Sequence, residues 1–246
     1  MGERLPGLFV VGTDTGVGKT RVAAAIARAL AGEGRRAGVL KPVATGASRG
    51  AGGAWRCEDA EHLIDAVGGG LPVARVALIL FEEPLAPSVA ARRAGTPLRQ
   101  ADVEAATALA LDWWAAGRAE VMVVEGVGGL LCPLAEGTTV ADLAVALDYP
   151  LVVVARRGLG TLNHTLLTVE AARHRALRVA GLVLNSPDPE TGSAAESTAA
   201  GELARRLPGL AILAELPHGG TSGLPDPVLG VDWFARARPP RTLSPA

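Results

Sequence analysis

Two cysteines, Cys57 and Cys132, are all that the 246-residue sequence holds, and neither sits in a CxxC spacing. A disulfide framework and a cysteine zinc site are thereby set aside, and both thiols read as the reduced cysteines of a cytosolic protein. Positive charge is not in surplus either: 24 Lys and Arg stand against 25 Asp and Glu, a net charge of −1. A nucleic-acid surface needs clustered positive charge, so that class of partner is not expected. No apolar run approaches the roughly 20 residues that cross a bilayer. The stretch Leu8–Val11 is too short for the apolar region of a signal peptide and leads straight into glycines. These absences predict a cytoplasmic protein with neither a nucleic-acid nor a membrane partner. His62, His164, His174 and His218 lack metal-ligand spacing and read as structural or solvated. No internal repeat, heptad run or linker divides the chain, so one domain is expected over residues 1–246.

What the sequence does contain is alternation. Short apolar runs at Leu8–Gly12, Gly38–Val43, Val76–Phe81, Val121–Glu125, Leu151–Ala155, Val179–Asn185 and Ala211–Glu215 read as strands. They lack period-two patterning, as expected of strands covered on both faces. Between them, Lys19–Ala31, Glu58–Val67, Pro87–Ala94, Ala101–Ala116, Thr139–Leu147, Leu162–Arg173 and Ala194–Arg206 read as helices. The alternation predicts an α/β fold, a parallel sheet of about seven strands with helices on both faces. Ala47–Trp55, rich in Gly, Ser and Ala, reads as a mobile surface loop. Near the C-terminus only Val231–Arg236 reads as a short helix, and the tail after about residue 238 reads as disordered. Of the pair Trp113-Trp114, one ring is expected in the core and one partly exposed.

The run Gly12-Thr13-Asp14-Thr15-Gly16-Val17-Gly18-Lys19-Thr20 follows an apolar strand and opens an alanine-rich helix. That context identifies a phosphate-binding loop, in which glycines let backbone N–H groups turn inward toward phosphate oxygens. The helix N-terminus adds its positive dipole end. Lys19 would bridge the β- and γ-phosphates, and Thr20 would offer its hydroxyl to Mg²⁺. The chain is therefore expected to bind a nucleotide.

In a parallel sheet, ligands gather at the carboxyl ends of the strands, and three places put charge there. Lys41, followed by Pro42, closes the second strand; it can point into the phosphate site as a second cation or stand solvated, and spacing alone leaves both open. Asp59 lies in the first turn of a helix, where complementing the helix dipole is the simpler reading and metal ligation the other. Glu125 ends a fully apolar strand, the position of a Mg²⁺-organising carboxylate in phosphate-loop enzymes. Burying that carboxylate without a partner is costly, which favours a functional role.

Taken together, Gly12–Thr20, Lys41-Pro-Val-Ala-Thr-Gly, Glu125-Gly-Val-Gly-Gly, Leu159-Gly-Thr-Leu-Asn-His, Glu83-Pro-Leu-Ala-Pro-Ser and Glu215-Leu-Pro resemble dethiobiotin synthetases, in the family's order. The resemblance runs from about Leu8 to Pro217, and the five-residue spacing between Gly12 and Gly18 is itself the family's form. It implies a P-loop NTPase-like domain that uses ATP and Mg²⁺. Thr20, Asp59 and Glu125 match the family's Mg²⁺ ligands, Lys19 the loop lysine on the transferred phosphate, and Lys41 the lysine on the carbamate. Thr15, Gly16, Val17, Gly18, Lys19, Thr20 and Glu125 match the ATP site, with Asn185 and Pro217 at the adenine. Thr15, Lys41, Thr45 and Gly128 match positions around the diamine. Leu159, Gly160, Leu162 and Asn163 match a loop that reaches the substrate carboxylate from the neighbouring subunit of a homodimer. Some members carry glutamate where this chain has Gly16, so any role of that acid is absent here.

The implied substrates are 7,8-diaminopelargonate and CO₂ or bicarbonate. One amine captures CO₂ as a carbamate, the carbamate takes the γ-phosphoryl group, and the second amine closes the ring and expels phosphate. No nucleophile motif surrounds either cysteine or any serine, which agrees with chemistry that needs no covalent enzyme intermediate. A nucleotide-switched partition- or septum-type ATPase is the alternative, but such proteins carry a lysine early in the loop, where this chain reads Gly12-Thr13-Asp14. A cobyrinate-type amidotransferase needs a further glutaminase domain, for which the stretch after Pro217 reads as too short.

Overall fold

The structure is a computed structural model that describes residues 5–189, 191–219 and 227–238. Seven strands form its main sheet: β1 (Gly7–Gly12), β2 (Ala37–Thr45), β3 (Ala77–Phe81), β4 (Val121–Gly129), β5 (Leu151–Arg156), β6 (Val179–Asn185) and β7 (Ile212–Leu216). Their order is β7-β6-β5-β1-β4-β2-β3, and every neighbouring pair is parallel. The central strands are apolar on both faces because helices cover both: Leu8, Phe9, Val10, Val123, Val124 and Leu151 are wholly buried.

The helices are α1 (Lys19–Gly32), α2 (Glu58–Ala66), α3 (Pro87–Arg93), α4 (Gln100–Ala115), α5 (Val140–Leu147), α6 (Thr161–His174), α7 (Ala194–Arg206) and α8 (Trp233–Ala237). Local chemistry sets where several begin. Ser193 accepts from the Glu196 backbone N–H while the Glu196 carboxylate accepts from Ser193 N–H, a reciprocal cap at the start of α7. Thr139 and Asp142 form the same arrangement at α5.

Chain direction decides where a ligand can sit. From β1 the chain crosses to β2 and β3 on one side, returns to β4 beside β1, then passes to β5, β6 and β7 on the other side. Crossovers thus diverge around the β1–β4 pair, and a crevice opens above their carboxyl ends.

The expected strands and helices are all present, with small shifts at their ends. β2 and β4 extend past the expected ends, to Thr45 and Gly129, and a short helix, Val73–Val76, precedes β3. Ala47–Trp55 is not the mobile loop expected of its composition. Ser48–Arg49 pairs antiparallel with Trp55–Arg56, and the Arg49 guanidinium lies 3.4 Å from the centre of the Trp55 ring. Cation–π contact and ladder pairing hold a segment whose glycines alone suggest freedom. Trp114 is buried and Trp113 half-buried, their rings meeting edge to face at 5.0 Å. The tail after Arg238 lies outside the described residues.

The C-terminal segment is held by one aromatic side chain. Trp233 is fully buried, and its indole N–H donates to Val228 O at 2.7 Å, closing Pro227–Gly230 and α8 onto α1. Trp233→Ala removes that anchor and is expected to lower the free energy of unfolding by about 3–5 kcal/mol, read as an earlier midpoint in urea denaturation.

Candidate active site

The loop after β1 wraps tightly because Gly16 and Gly18 take left-handed backbone angles, φ 73° and 93°. Gly18 is the N-cap of α1, so the first free N–H groups of that helix open into the loop. Lys19 is buried, and its ammonium donates back to Asp14 O at 3.1 Å, spanning the loop. Two of its N–H groups remain for a bound anion.

Beneath the loop lies an ionic cluster assembled from four elements. Lys41 Nζ, on β2, donates to Glu125 Oε1 at 2.7 Å and to Asp59 Oδ2 at 2.6 Å. Thr20 Oγ1, in the first turn of α1, lies 2.8 Å from Asp59 Oδ1 and 2.9 Å from Glu125 Oε1. β2 and β4 are neighbours in the sheet, with Leu40 in register with Val124, which sets Lys41 beside Glu125. The Lys41 and Glu125 side chains are only 3% and 1% exposed, whereas Asp59 is 43% exposed and faces the crevice. Spacing alone leaves Lys41 open between two roles; in the fold it is a buried cation at the site. Asp59, which its sequence context favours as a helix-dipole residue, reaches across to Lys41 and Thr20.

The environment shifts each ionisable group. Burial pushes the Glu125 carboxyl above its ordinary range, outweighing the nearby Lys41 charge. Burial also pushes Asp59 up, but the Lys41 ammonium and the hydrogen bonds from Lys41 and Thr20 prevail and hold it below. Burial disfavours the charge on Lys41, yet Glu125 and then Asp59 overcome it and raise its pKa. Lys19 is lowered, chiefly by burial, with Lys41 adding to the fall against the pull of Glu125.

The donor set suits Mg²⁺. Glu125 Oε2 is buried with no hydrogen-bond partner among the described residues. The single Thr20 proton faces two carboxylate oxygens and satisfies only one of them fully. Among the described residues no three His, Cys, Asp or Glu side chains form a metal cage. A hydroxyl with one or two carboxylates, completed by phosphates and water, is the form in which Mg²⁺ is commonly bound.

A cavity of about 670 Å³ opens over the cluster. Of the residues predicted from sequence, Thr15, Gly16, Gly18, Lys19, Thr20, Lys41, Thr45, Asp59, Glu125 and Gly128 line it. Val17 is buried beneath the loop. Val127 and Pro84–Ala86 also line the cavity; they lie inside the Glu125-Gly-Val-Gly-Gly and Glu83-Pro-Leu-Ala-Pro-Ser motifs, which assign them no role, while Cys132, which lines it too, lies in no motif. Cys132 packs against Gly128, where a Cβ would come within 2.8 Å of its sulfur. Asn185 lies on the far side of Gly18, in the wall of a second cavity of about 360 Å³ with Gly18, Arg21, Pro187 and His218. Pro217 is not in that wall but is tied to it by its carbonyl, which accepts from Arg21. Leu159, Gly160, Leu162 and Asn163 stand outside both cavities at the start of α6, with Leu159 97% exposed.

Removing the cation from this cluster tests how it is balanced. Lys41→Met leaves two carboxylates facing each other in a buried site, an expected loss of about 3–5 kcal/mol of stability. A carboxyl whose pKa is raised in the fold favours folding below its ordinary value, and this contribution is lost as pH rises through the raised one. Glu125 is already raised, and loss of Lys41 raises it further. The deficit of the variant should therefore widen as pH rises above the ordinary carboxylate range in denaturant melts; a deficit independent of pH would contradict the ionic balance described.

Comparison with known proteins sets this geometry in a family. A family described as an AAA domain matches residues 6–223. An ATP-dependent dethiobiotin synthetase BioD from Anaeromyxobacter dehalogenans (strain 2CP-C) is 49% identical over 200 residues, 81% of this chain and 84% of that protein. The protein of the same name from strain 2CP-1 is 48% identical over the same shares. Among solved structures, a cobyrinic acid a,c-diamide synthase from Mycobacterium smegmatis with bound ADP and magnesium aligns with a TM-score of 0.51. It shares 18% identity over 87% of this chain and 86% of that one. The signal recognition particle receptor FtsY from Elizabethkingia anophelis aligns with a TM-score of 0.52 and 14% identity, over 95% of this chain and 66% of that one. The structural likenesses show the fold, and the sequence relatives decide within it. The septum-ATPase alternative is not favoured, and the chain belongs to the ATP-dependent dethiobiotin synthetase family.

Proposed function

We propose that this chain closes the ureido ring of dethiobiotin from 7,8-diaminopelargonate, CO₂ and ATP. The observation that carries the reading is the buried Lys41–Glu125–Asp59–Thr20 cluster beneath the phosphate loop, facing a cavity of about 670 Å³. In the first step an amine nitrogen of the diamine attacks CO₂ and loses a proton, leaving a carbamate. A carbamate oxygen then attacks the γ-phosphorus of ATP, the bond to the β-bridging oxygen breaks, and ADP leaves. The second amine attacks the carbamoyl carbon, the carbon–oxygen bond to phosphate breaks, and the ring closes with loss of a proton and phosphate.

Each chain residue has a part in holding and neutralising these anions. Lys19 reaches the transferred phosphoryl group, supported by the loop from Thr15 through Thr20. Lys41 commits two N–H groups to Glu125 and Asp59, which leaves its third for the carbamate oxygen. Thr20, Asp59 and Glu125 hold Mg²⁺, which when bound neutralises charge on the phosphates. Thr15, Thr45 and the backbone at Gly128 line the diamine end. The adenine lies in the cavity beyond Gly18, against Asn185 and Pro217.

The exposed loop at Leu159, Gly160, Leu162 and Asn163 serves the substrate carboxylate of a second subunit, so the working unit is a homodimer of single ligase domains. Cytoplasmic placement agrees with this chemistry, and among the described residues no helix is long and apolar enough to cross a membrane.

Phosphate release from MgATP with bicarbonate should depend on the diamine, with one dethiobiotin detected by mass for each phosphate. Lys41→Ala and Glu125→Ala should each abolish it. Diamine-independent turnover, or none, would sink the ligase reading. Sharing of the site between subunits is tested by mixing. Lys19→Ala chains and Asn163→Ala chains, refolded together, should recover activity that neither has alone, because one site of the mixed dimer is then intact. No recovery in a mixture proven to contain mixed dimers would place the carboxylate contact within one chain.

A further inference from the structure

Gly18 stands in the wall of both cavities, the one over the ionic cluster and the smaller one beyond the loop. In the proposed seat, on which the role of Arg21 rests, a nucleotide with its phosphates in the loop has its base beside Asn185. Asn185 is 1% exposed at the end of β6, and both ends of its amide are engaged. Its Nδ2 donates to Val17 O at 2.8 Å. Its Oδ1 accepts from Arg21 Nη1 at 3.0 Å, and the same guanidinium nitrogen donates to Pro217 O at 2.9 Å.

We infer that Arg21 is a positioning residue for nucleotide selection, holding the Asn185 amide in the one orientation that reads adenine. The two ends of an amide have nearly the same shape, so only their partners distinguish them. A carbonyl such as Val17 O accepts and never donates; a guanidinium donates and never accepts. Turning the Asn185 amide over would set oxygen against the Val17 carbonyl and NH₂ against Arg21, breaking both bonds at once. In the orientation held, one Nδ2 proton and one Oδ1 lone pair remain. That donor–acceptor pair matches the N7 acceptor and 6-amino donor of adenine. Guanine offers N7 and O6, both acceptors, so its O6 meets the Asn185 oxygen and is refused.

Arg21 suits this part rather than a surface ion pair. It sits on α1 one residue beyond Thr20, is half-buried, and has no carboxylate partner among the described residues. Its second bond, to Pro217 O just after β7, fixes the guanidinium from the other side. Gly18 leaves room for the arrangement, since a Cβ there would run into Asn185 Nδ2. A purely structural tie from α1 to the ends of β6 and β7 would use the same two bonds, and the experiment separates the two roles.

Diamine-dependent phosphate release is measured with MgATP and with MgGTP for the unaltered protein, Arg21→Leu, Arg21→Lys and Asn185→Ala. Arg21→Leu should raise KM for ATP about tenfold, with kcat changed far less, and should cut the ATP-over-GTP ratio of kcat/KM by a similar factor. Arg21→Lys keeps a donor in reach of both oxygens and should restore most of that ratio. Equal losses with both nucleotides, leaving the ratio intact, would mean that Arg21 is only a structural tie. If Asn185→Ala lowers the ratio while Arg21→Leu does not, the amide reads the base unaided and the inference is overturned, although the base seat stands. If Asn185→Ala changes neither KM nor ratio, the base does not lie there and the proposed seat fails first. Should Arg21→Leu not fold, Arg21→Met replaces it, keeping a long stem without a donor, and an unchanged ratio in that variant overturns the inference.

Discussion

The site depends on a buried lysine lying between two carboxylates. Glu125 and Asp59 offset the cost of burying Lys41, and without that lysine the Glu125 carboxylate would stand desolvated in an apolar sheet. An uncompensated charge there costs several kcal/mol, whereas the compensated cluster keeps an ammonium, a hydroxyl and two carboxylates at fixed distances. Such a cluster adds little net stability over apolar packing; what it supplies is a prepared electrostatic field where anions must gather. Glu125 retains one oxygen with no partner among the described residues, and Thr20 divides a single proton between two acceptors. One ammonium faces two carboxylates, and this surplus of negative charge, with an unpartnered carboxylate oxygen among the described residues, suits a divalent ion.

Sheet topology gives the cluster its place. Divergence of the crossovers around β1 and β4 opens the crevice, and the left-handed glycines of the loop let α1 present its N-terminus there. Proteins of other names share the fold, among them the signal recognition particle receptor FtsY and the cobyrinic acid a,c-diamide synthase that align at 14% and 18% identity. The fold therefore fixes where a nucleotide can lie and leaves open what is done with it. In this chain the second lysine comes from β2 rather than from the loop, and its carboxylate partner Glu125 stands midway along β4.

Much of this is legible in the residues. The strands can be placed because fully apolar runs between helical stretches admit few arrangements other than a covered parallel sheet. The loop can be read because glycines, lysine and threonine act through local backbone geometry. Glu125 stands out because a carboxylate ending an apolar strand needs a partner. Lys41 is ambiguous in sequence because its partner lies 84 positions away, on a strand that is its neighbour only in the sheet. Asp59 is ambiguous for the same reason: Thr20 is 39 positions distant, and a helix start offers every acid a ready local explanation. Ala47–Trp55 passes for a mobile loop because composition carries no sign of an arginine stacking on a tryptophan across the turn.

By itself the sequence determined the order and kind of the elements, the phosphate loop and the resemblance that its motifs carry, since these rest on short-range patterns. Only the tertiary structure decided the pairing of Lys41 with Glu125 and Asp59, the place of Cys132 in the cavity wall, and the tie from Arg21 to Asn185. Each of these joins residues on separate elements. Their meeting depends on strand order and register, and those come from the packing of the whole sheet rather than from any one segment.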